Sequence, residues 1–181
     1  VLKSTLKALG YNTGMIDIKL LQLVRLIKDG KEYRMSKRAG NAITLSDLIA
    51  EVGVNAARYF FASRSLDSQM DFDLELAKKE SSENPVYYVS YAYARICSIL
   101  KDNKALPETL IYRSETIKNP DVYKLLEKVY YFPDVVKTAA LKELPHLIAN
   151  YCYELANLFH IYYSKYRIIT DDEKETAENL N

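Results

Sequence analysis

The run Tyr33-Arg34-Met35-Ser36-Lys37-Arg38-Ala39-Gly40-Asn41 places three cationic side chains within five positions, with a hydroxyl before the middle one. Those groups suit a polyphosphate. Lys37 offers a compact ammonium with three donors on a mobile stem. Arg34 and Arg38 add forked donors that match phosphate oxygens. Gly40 gives the backbone angles that a loop closing on a ligand requires. An arbitrary basic cluster is more often solvated surface, so the flanking sequence has to decide the matter.

A second set of residues suits bases rather than phosphates. Tyr87, Tyr91 and Arg95 recur at steps of four inside a helical pattern. Unstacked bases pack on phenol rings and guanidinium planes, so such a row is a candidate surface for single-stranded RNA. Tyr151, Tyr153, Tyr162, Tyr163 and Tyr166 are further candidates on the last helix, with nothing in the sequence to rank them. With sixteen tyrosines in the chain, several must simply fill cores.

Composition narrows the classes. The 181 residues are 49% hydrophobic with five glycines and five prolines, enough for one or two cores and a poor fit to an all-β fold. No apolar run approaches the roughly 20 residues of a membrane span. The start at Val1 resembles neither an initiator nor a signal peptide and suggests a piece of something longer. Cys97 and Cys152 lie far apart without zinc spacing, and read as buried, reduced thiols of a cytoplasmic protein. Net charge is uneven. Residues 1–38 hold nine Lys/Arg against three Asp/Glu, or +6, and the rest hold sixteen against twenty-one, or −5. An anion should therefore dock at the basic end.

The elements that position these residues follow in order. Leu2, Leu6 and Leu9 mark a short helix stopped by Gly10, and Leu20 to Lys28 reads as a strand. Asp29-Gly30 is a hairpin turn that returns Lys31 to Met35 as a second strand, which delivers the basic loop at its exit. Thr44 and Asp47 form a capping box for the next helix, ended by Gly53, and another runs from about Asn55 to Ser63. Residues 70–76 alternate and fit a short strand or the first turn of a helix ending at Lys79. Asn84-Pro85 starts a long helix with an expected apolar seam of Val86, Val89, Tyr93, Ile96 and Leu100. Asn119-Pro120 repeats the device, and Pro133 and Pro145 punctuate two more helices. The last of these has Ile148, Cys152, Leu155, Phe159 and Tyr162 as its seam. Residues 101–118 read as a long exposed connection, and the acidic tail from Thr170 as either a solvated helix start or a disordered end.

Arg34 to Arg38 resembles the KMSKS signature of class I aminoacyl-tRNA synthetases, and MSKRAGN resembles its arginyl-tRNA synthetase version. AARYFFASRS (56–65), DFDLELAKKESSENPVYYV (71–89) and YAYARICSIL (91–100) continue the likeness in order. It implies a mostly α fold: a small α/β stem-contact segment with one β-hairpin, then an all-α anticodon-binding helical bundle. The implied division is 1–82 for the end of a catalytic domain and 83–181 for the bundle, which family resemblance extends past Asn181.

The resemblance further implies an arginine–tRNA ligase that attaches L-arginine to arginine tRNA through an arginyl-adenylate, using ATP with Mg²⁺ in the full enzyme. Lys37 falls on the signature's second lysine and is the implied catalytic residue, with Arg34, Met35, Ser36 and Arg38 completing the ATP-binding loop. Arg34 and Arg38 depart from the five-letter signature. Tyr87, Tyr91 and Arg95 are the implied tRNA-binding residues, while Ser90 and Tyr93 differ from common family versions. The family's HIGH signature has no counterpart, and the two histidines, His146 and His160, lie in the bundle as structural or RNA-facing residues. The chain alone is thus expected to be inactive, a cytoplasmic monomer without membrane contact. The rival reading is a stand-alone RNA-binding helical module without catalytic activity.

Overall fold

The computed structural model describes residues 1–33, 43–102, 118–171 and 176. The loop residues Arg34, Met35, Ser36, Lys37 and Arg38 lie outside the described residues, as does the connection 103–117.

A short α1 (Leu2–Ala8) precedes β1 (Val24–Lys28), and β1 turns through Asp29 and Gly30 into β2 (Lys31–Glu32). Both turn residues have positive φ, 52° and 71°, the backbone that a two-residue hairpin needs and Asp-Gly supplies. α2 (Leu45–Val52) and α3 (Val54–Ala62) then cross over to β3 (Met70–Asp73). β3 lies parallel to β1, giving the order β2-β1-β3 with Val24 opposite Met70 and Leu26 opposite Phe72. The register puts Arg25 opposite Asp71, and the two make a forked ion pair at 2.7 and 2.9 Å on the solvent face. The parity of β3 sends Met70 and Phe72 inward against Leu26, Leu48, Ala56 and Phe60. Phe72 and Leu74 are completely buried.

Two expected strands are shorter than the sequence suggests. Pairing with β3 begins at Val24, so Leu20, Leu21 and Leu23 remain exposed ahead of β1. Two backbone hydrogen bonds tie this stretch, the Gln22 N–H donating to the Leu66 carbonyl and the Leu23 carbonyl accepting from the Met70 N–H. The return strand stops at Glu32. The ambiguous stretch 70–76 is both elements: Asp73 closes β3, then caps α4 (Leu74–Lys78) by accepting from the Glu75 and Leu76 N–H groups. The expected capping box of α2 is present, with Thr44 and Asp47 bonded reciprocally.

α5 (Pro85–Asp102), α6 (Pro120–Tyr130), α7 (Phe132–Lys142) and α8 (His146–Lys165) form the helical half, with α8 packed against the other three. The expected seam of α5 is displaced around the helix. Tyr93, Ile96 and Leu100 are exposed, whereas Tyr88, Ala92, Arg95 and Ile99 turn inward. Packing against α8 selected the face carrying small and polar-tipped residues, which a hydrophobic count alone ranks second. On α8 the expected seam residues are half-buried, and Ala149, Tyr151 and Ala156 are buried.

Two pins join the halves. Asn84, 4% exposed, donates its amide to the Ala77 and Lys79 carbonyls at 3.1 and 2.8 Å. Its Oδ1 accepts from the Val86 N–H at 3.0 Å, capping α5. Tyr59 of α3 donates its hydroxyl to the Ala149 carbonyl of α8 at 3.2 Å.

Asn84→Ala leaves two carbonyls and a helix N–H unpaired in a buried place, so it should cost about 3 kcal/mol in urea denaturation. A loss below about 1 kcal/mol would show that the amide does not hold the junction. Burial pushes the Tyr59 hydroxyl up to about 12. An unfolded tyrosine ionises near 10, so the stabilisation this implies is whole below about pH 10 and disappears as pH rises toward 12. In a spectrophotometric titration Tyr59→Phe should remove one late-ionising tyrosine and flatten part of the alkaline stability loss.

Candidate nucleic-acid interface

The described residues on either side of the basic loop are anchored. The Tyr33 N–H donates to the Leu26 carbonyl at 2.7 Å, and Tyr33 and Ile43 both pack on the sheet core. Beside the hairpin, Lys28 and Lys78 share Glu51 at 3.6 and 3.2 Å, and Lys78 also meets Glu75 at 2.8 Å. These pairs hold the Glu51 carboxyl below its usual range, with the hydrogen bond from Lys78 the main cause. They fix strand end, α2 and α4 to one another. Both described flanks of the loop are therefore tied to the sheet.

The three candidate residues of α5 come together, but not in equivalent roles. Tyr87 and Tyr91 are 37% and 43% exposed, and their rings are nearly parallel at 10° with centroids 6.2 Å apart. Arg95 is half-buried. Its guanidinium lies over the Tyr163 ring at 4.6 Å and the Tyr91 ring at 5.3 Å, and Nη2 donates to the Tyr91 hydroxyl at 2.8 Å. Arg95 is thus a support for Tyr91, while the tyrosines present the open rings. Its Nε is buried with no acceptor among the described residues.

α8 supplies what spacing on α5 could not reveal. His160 stacks on Tyr91 at 5.5 Å and 20°, and lies 4.5 Å from the Tyr88 ring. Tyr88 in turn contacts the Tyr153 ring at 5.3 Å and donates its hydroxyl to Asn157 at 3.1 Å. Burial raises the Tyr88 hydroxyl above its ordinary value. The five tyrosines of α8 and its end now separate. Tyr151 is core, its hydroxyl on the Lys128 carbonyl at 3.0 Å. Tyr166 packs on Tyr162 and reaches Asn119 at the start of α6. Tyr163 carries Arg95, and Tyr153 joins the cluster around Tyr88. His160 belongs to the aromatic cluster through contacts 69 and 72 positions away, a separation at which no periodicity is visible.

Tyr87 and Ser90 also border a cleft of about 520 Å³ between the α2–α3 turn, the end of α4 and the start of α5. Lys78, Lys79, Glu51 and Glu80 line it, so its charges balance. Cys97 is exposed rather than buried as expected, and burial raises the half-buried Cys152 thiol. Among the described residues no group of three or more His, Cys, Asp or Glu could hold a metal ion. Nor is any described helix long and apolar enough to cross a membrane.

The family described as the DALR anticodon binding domain matches residues 89–181. An arginine–tRNA ligase of Halalkalibacterium halodurans is 44% identical over 98% of this chain and 32% of its own length. One from Staphylococcus aureus is 47% identical over 99% of this chain and 33% of its own. The chain spans about a third of the curated relatives it matches. Among solved structures, a Campylobacter jejuni chain assigned as an arginyl-tRNA synthetase superposes with a TM-score of 0.75 at 32% identity, covering 99% of this chain and 39% of that one. The arginyl-tRNA synthetase of Thermus thermophilus shares the fold, with a TM-score of 0.55 at 22% identity over 80% of this chain and 25% of that one.

Arg95→Ala should lower stability by about 1–2 kcal/mol, because two rings lose their cation and the Tyr91 hydroxyl its donor. Arg95→Lys should recover less than half in the same denaturation series, since an ammonium cannot lie flat across both rings.

Proposed function

The chain belongs to the DALR anticodon binding domain family, and from that premise we propose that it is the part of an arginine–tRNA ligase that grips the triphosphate of ATP and senses the anticodon loop of arginine tRNA. The observation that carries the RNA half of this reading is the Tyr87–Tyr91 pair: two parallel rings, each more than a third exposed, on the first helix of the bundle. Rings of this kind present sequence-tolerant faces to unstacked bases.

In the whole enzyme, L-arginine attacks the α-phosphorus of ATP through its carboxylate, pyrophosphate leaves, and the arginyl group then passes from the adenylate to tRNA. Charge builds on the departing phosphates, and the Lys37 ammonium stabilises it there more than in the ground state. Arg34 and Arg38 add phosphate donors, and Met35 and Ser36 complete the ATP-binding sequence in this reading. Tyr33 and Ile43, anchored on the sheet core, give this loop fixed ends. Magnesium accompanies ATP in such enzymes, carried by the nucleotide's own phosphates with one or two carboxylates. We assign residues 1–82 to the phosphate-loop and stem-contact unit and 83–181 to the anticodon-binding bundle. The junction at Asn84, which caps α5 while gripping the end of α4, supports that division. The enzyme works as a cytoplasmic monomer in this reading.

The test uses the whole ligase. Lys37→Ala should slow arginine-dependent ATP–pyrophosphate exchange about 100-fold or more, with tRNA affinity unchanged. Tyr91→Ala should weaken tRNA binding about tenfold, without changing the slope of affinity against salt, because a ring and no cation is lost. Undiminished exchange by the lysine variant, or undiminished binding by the tyrosine variant, would overturn the corresponding half.

A further inference from the structure

Tyr91 stands on an exposed helix face, where a free tyrosine exchanges rotamers and presents no fixed plane to a base. Here its ring is backed by one residue of another helix. His160 of α8 lies against it at 5.5 Å and 20°, and the same imidazole touches the Tyr88 ring at 4.5 Å and the Phe159 ring at 5.8 Å. His160 Nε2 is 3.2 Å from the Tyr88 carbonyl oxygen. A carbonyl only accepts, so Nε2 carries the hydrogen and donates it. The imidazole is thereby fixed to the backbone of α5 and not merely to neighbouring side chains.

We propose that His160 is a positioning residue for RNA binding: its Nε2 hydrogen bond to the Tyr88 carbonyl and its stack on Tyr91 hold that tyrosine in the plane that receives a base. The inference rests on the reading of Tyr87 and Tyr91 as a base-stacking surface and adds what orients it. The rings then form a graded row. His160 is its half-buried end, anchored on backbone, and Tyr91 its middle, held also at its hydroxyl by Arg95 at 2.8 Å. Tyr87 is the outer end, parallel to Tyr91 and bordering the cleft beside α4. Such preorganisation removes the ordering cost from the binding step, which is where affinity is gained without any new contact to the ligand.

The experiment compares binding of arginine tRNA, at one stated salt concentration, by the whole ligase and its His160→Ala, Tyr91→Ala and double variants, with thermal melting of each. The expected losses are about tenfold for each single variant and no more than about tenfold for the pair, because the histidine acts only through the ring. A merely structural histidine would instead lower melting and multiply the two losses. His160→Phe, which keeps a ring behind Tyr91 but loses the hydrogen bond to the Tyr88 carbonyl, should fall between the parent and His160→Ala, and a loss as large as that of His160→Ala would overturn the stacking role of the ring. Should His160→Ala fail to fold, His160→Gln keeps an N–H toward Tyr88 without the ring and should still lose about tenfold. Unchanged binding by His160→Ala or His160→Gln, or multiplied losses in the double variant, overturns the inference alone. Unchanged binding by Tyr91→Ala overturns the stacking reading and the inference with it.

Discussion

One buried amide decides how the two halves of this molecule relate. Asn84 spends its donors on the Ala77 and Lys79 carbonyls, and its acceptor on the Val86 N–H. The first two finish α4, which belongs to the sheet; the third begins α5, which belongs to the bundle. An aspartate at this position would cap α5 equally well but would bring no donors to the carbonyls, and a serine would lack the reach. Pro85 then enters α5 with φ already helical and no N–H to satisfy. The angle between sheet and bundle is thus fixed by hydrogen bonds of known direction and not by apolar contact, which is non-directional. Tyr59 adds a second point at a distance along the interface, and two points on rigid elements restrict rocking far more than one.

The same economy of directional contacts appears at the aromatic face. In the proposed reading the face takes bases, which needs flat, exposed rings, yet exposed rings on a helix are loosely held. The bundle resolves this by making the residues behind Tyr91 polar at one edge and aromatic on the face. Arg95 bonds a hydroxyl and stacks on Tyr163, and His160 bonds a carbonyl and stacks on Tyr91. That is why the inward seam of α5 runs through Tyr88, Ala92 and Arg95 rather than through the more hydrophobic Tyr93, Ile96 and Leu100. A helix turned only for apolar burial would have put Tyr93, Ile96 and Leu100 against α8 and left Tyr87 and Tyr91 facing away from it, without the α8 side chains that back them.

The parts legible in the sequence are those governed by local chemistry. Asp29-Gly30, Thr44 with Asp47, Asn119-Pro120 and the stops at Gly10 and Gly53 all act within a few residues, and the fold places elements where they indicate. The class of the fold followed from them. What periodicity could not show depends on partners distant in the chain. β1 begins at Val24 only because β3 begins at Met70. Residues 70–76 satisfy both strand and helix patterns because Asp73 serves as the last residue of one and the cap of the other. Tyr87 and Tyr91 could be found from spacing, but the support role of Arg95 and the presence of His160 depend on how α8 is set against α5. For the basic loop, residue chemistry and family likeness remain the warrant, since residues 34–42 are not described.

These constraints bear on how a stacking event in the bundle would be felt at the sheet. Tyr87 sits two residues into α5 from its start, within one turn of Asn84. A tilt of α5 large enough to reseat Tyr87 against a base would move the Val86 N–H and the Tyr88 N–H, which bond the side chain and carbonyl of Asn84. Asn84 cannot follow without disturbing the end of α4, and Lys78 of α4 shares Glu51 with Lys28 at the hairpin. Each link is a hydrogen bond or ion pair with little slack, and the buried one would cost most to stretch. The surface ion pairs in the chain are individually weak, but they need only choose among nearby arrangements of already packed elements. In the proposed reading the first turn of α5 is therefore where base contact and sheet geometry would meet, linked through Asn84, α4 and Glu51 to the hairpin that precedes residue 34.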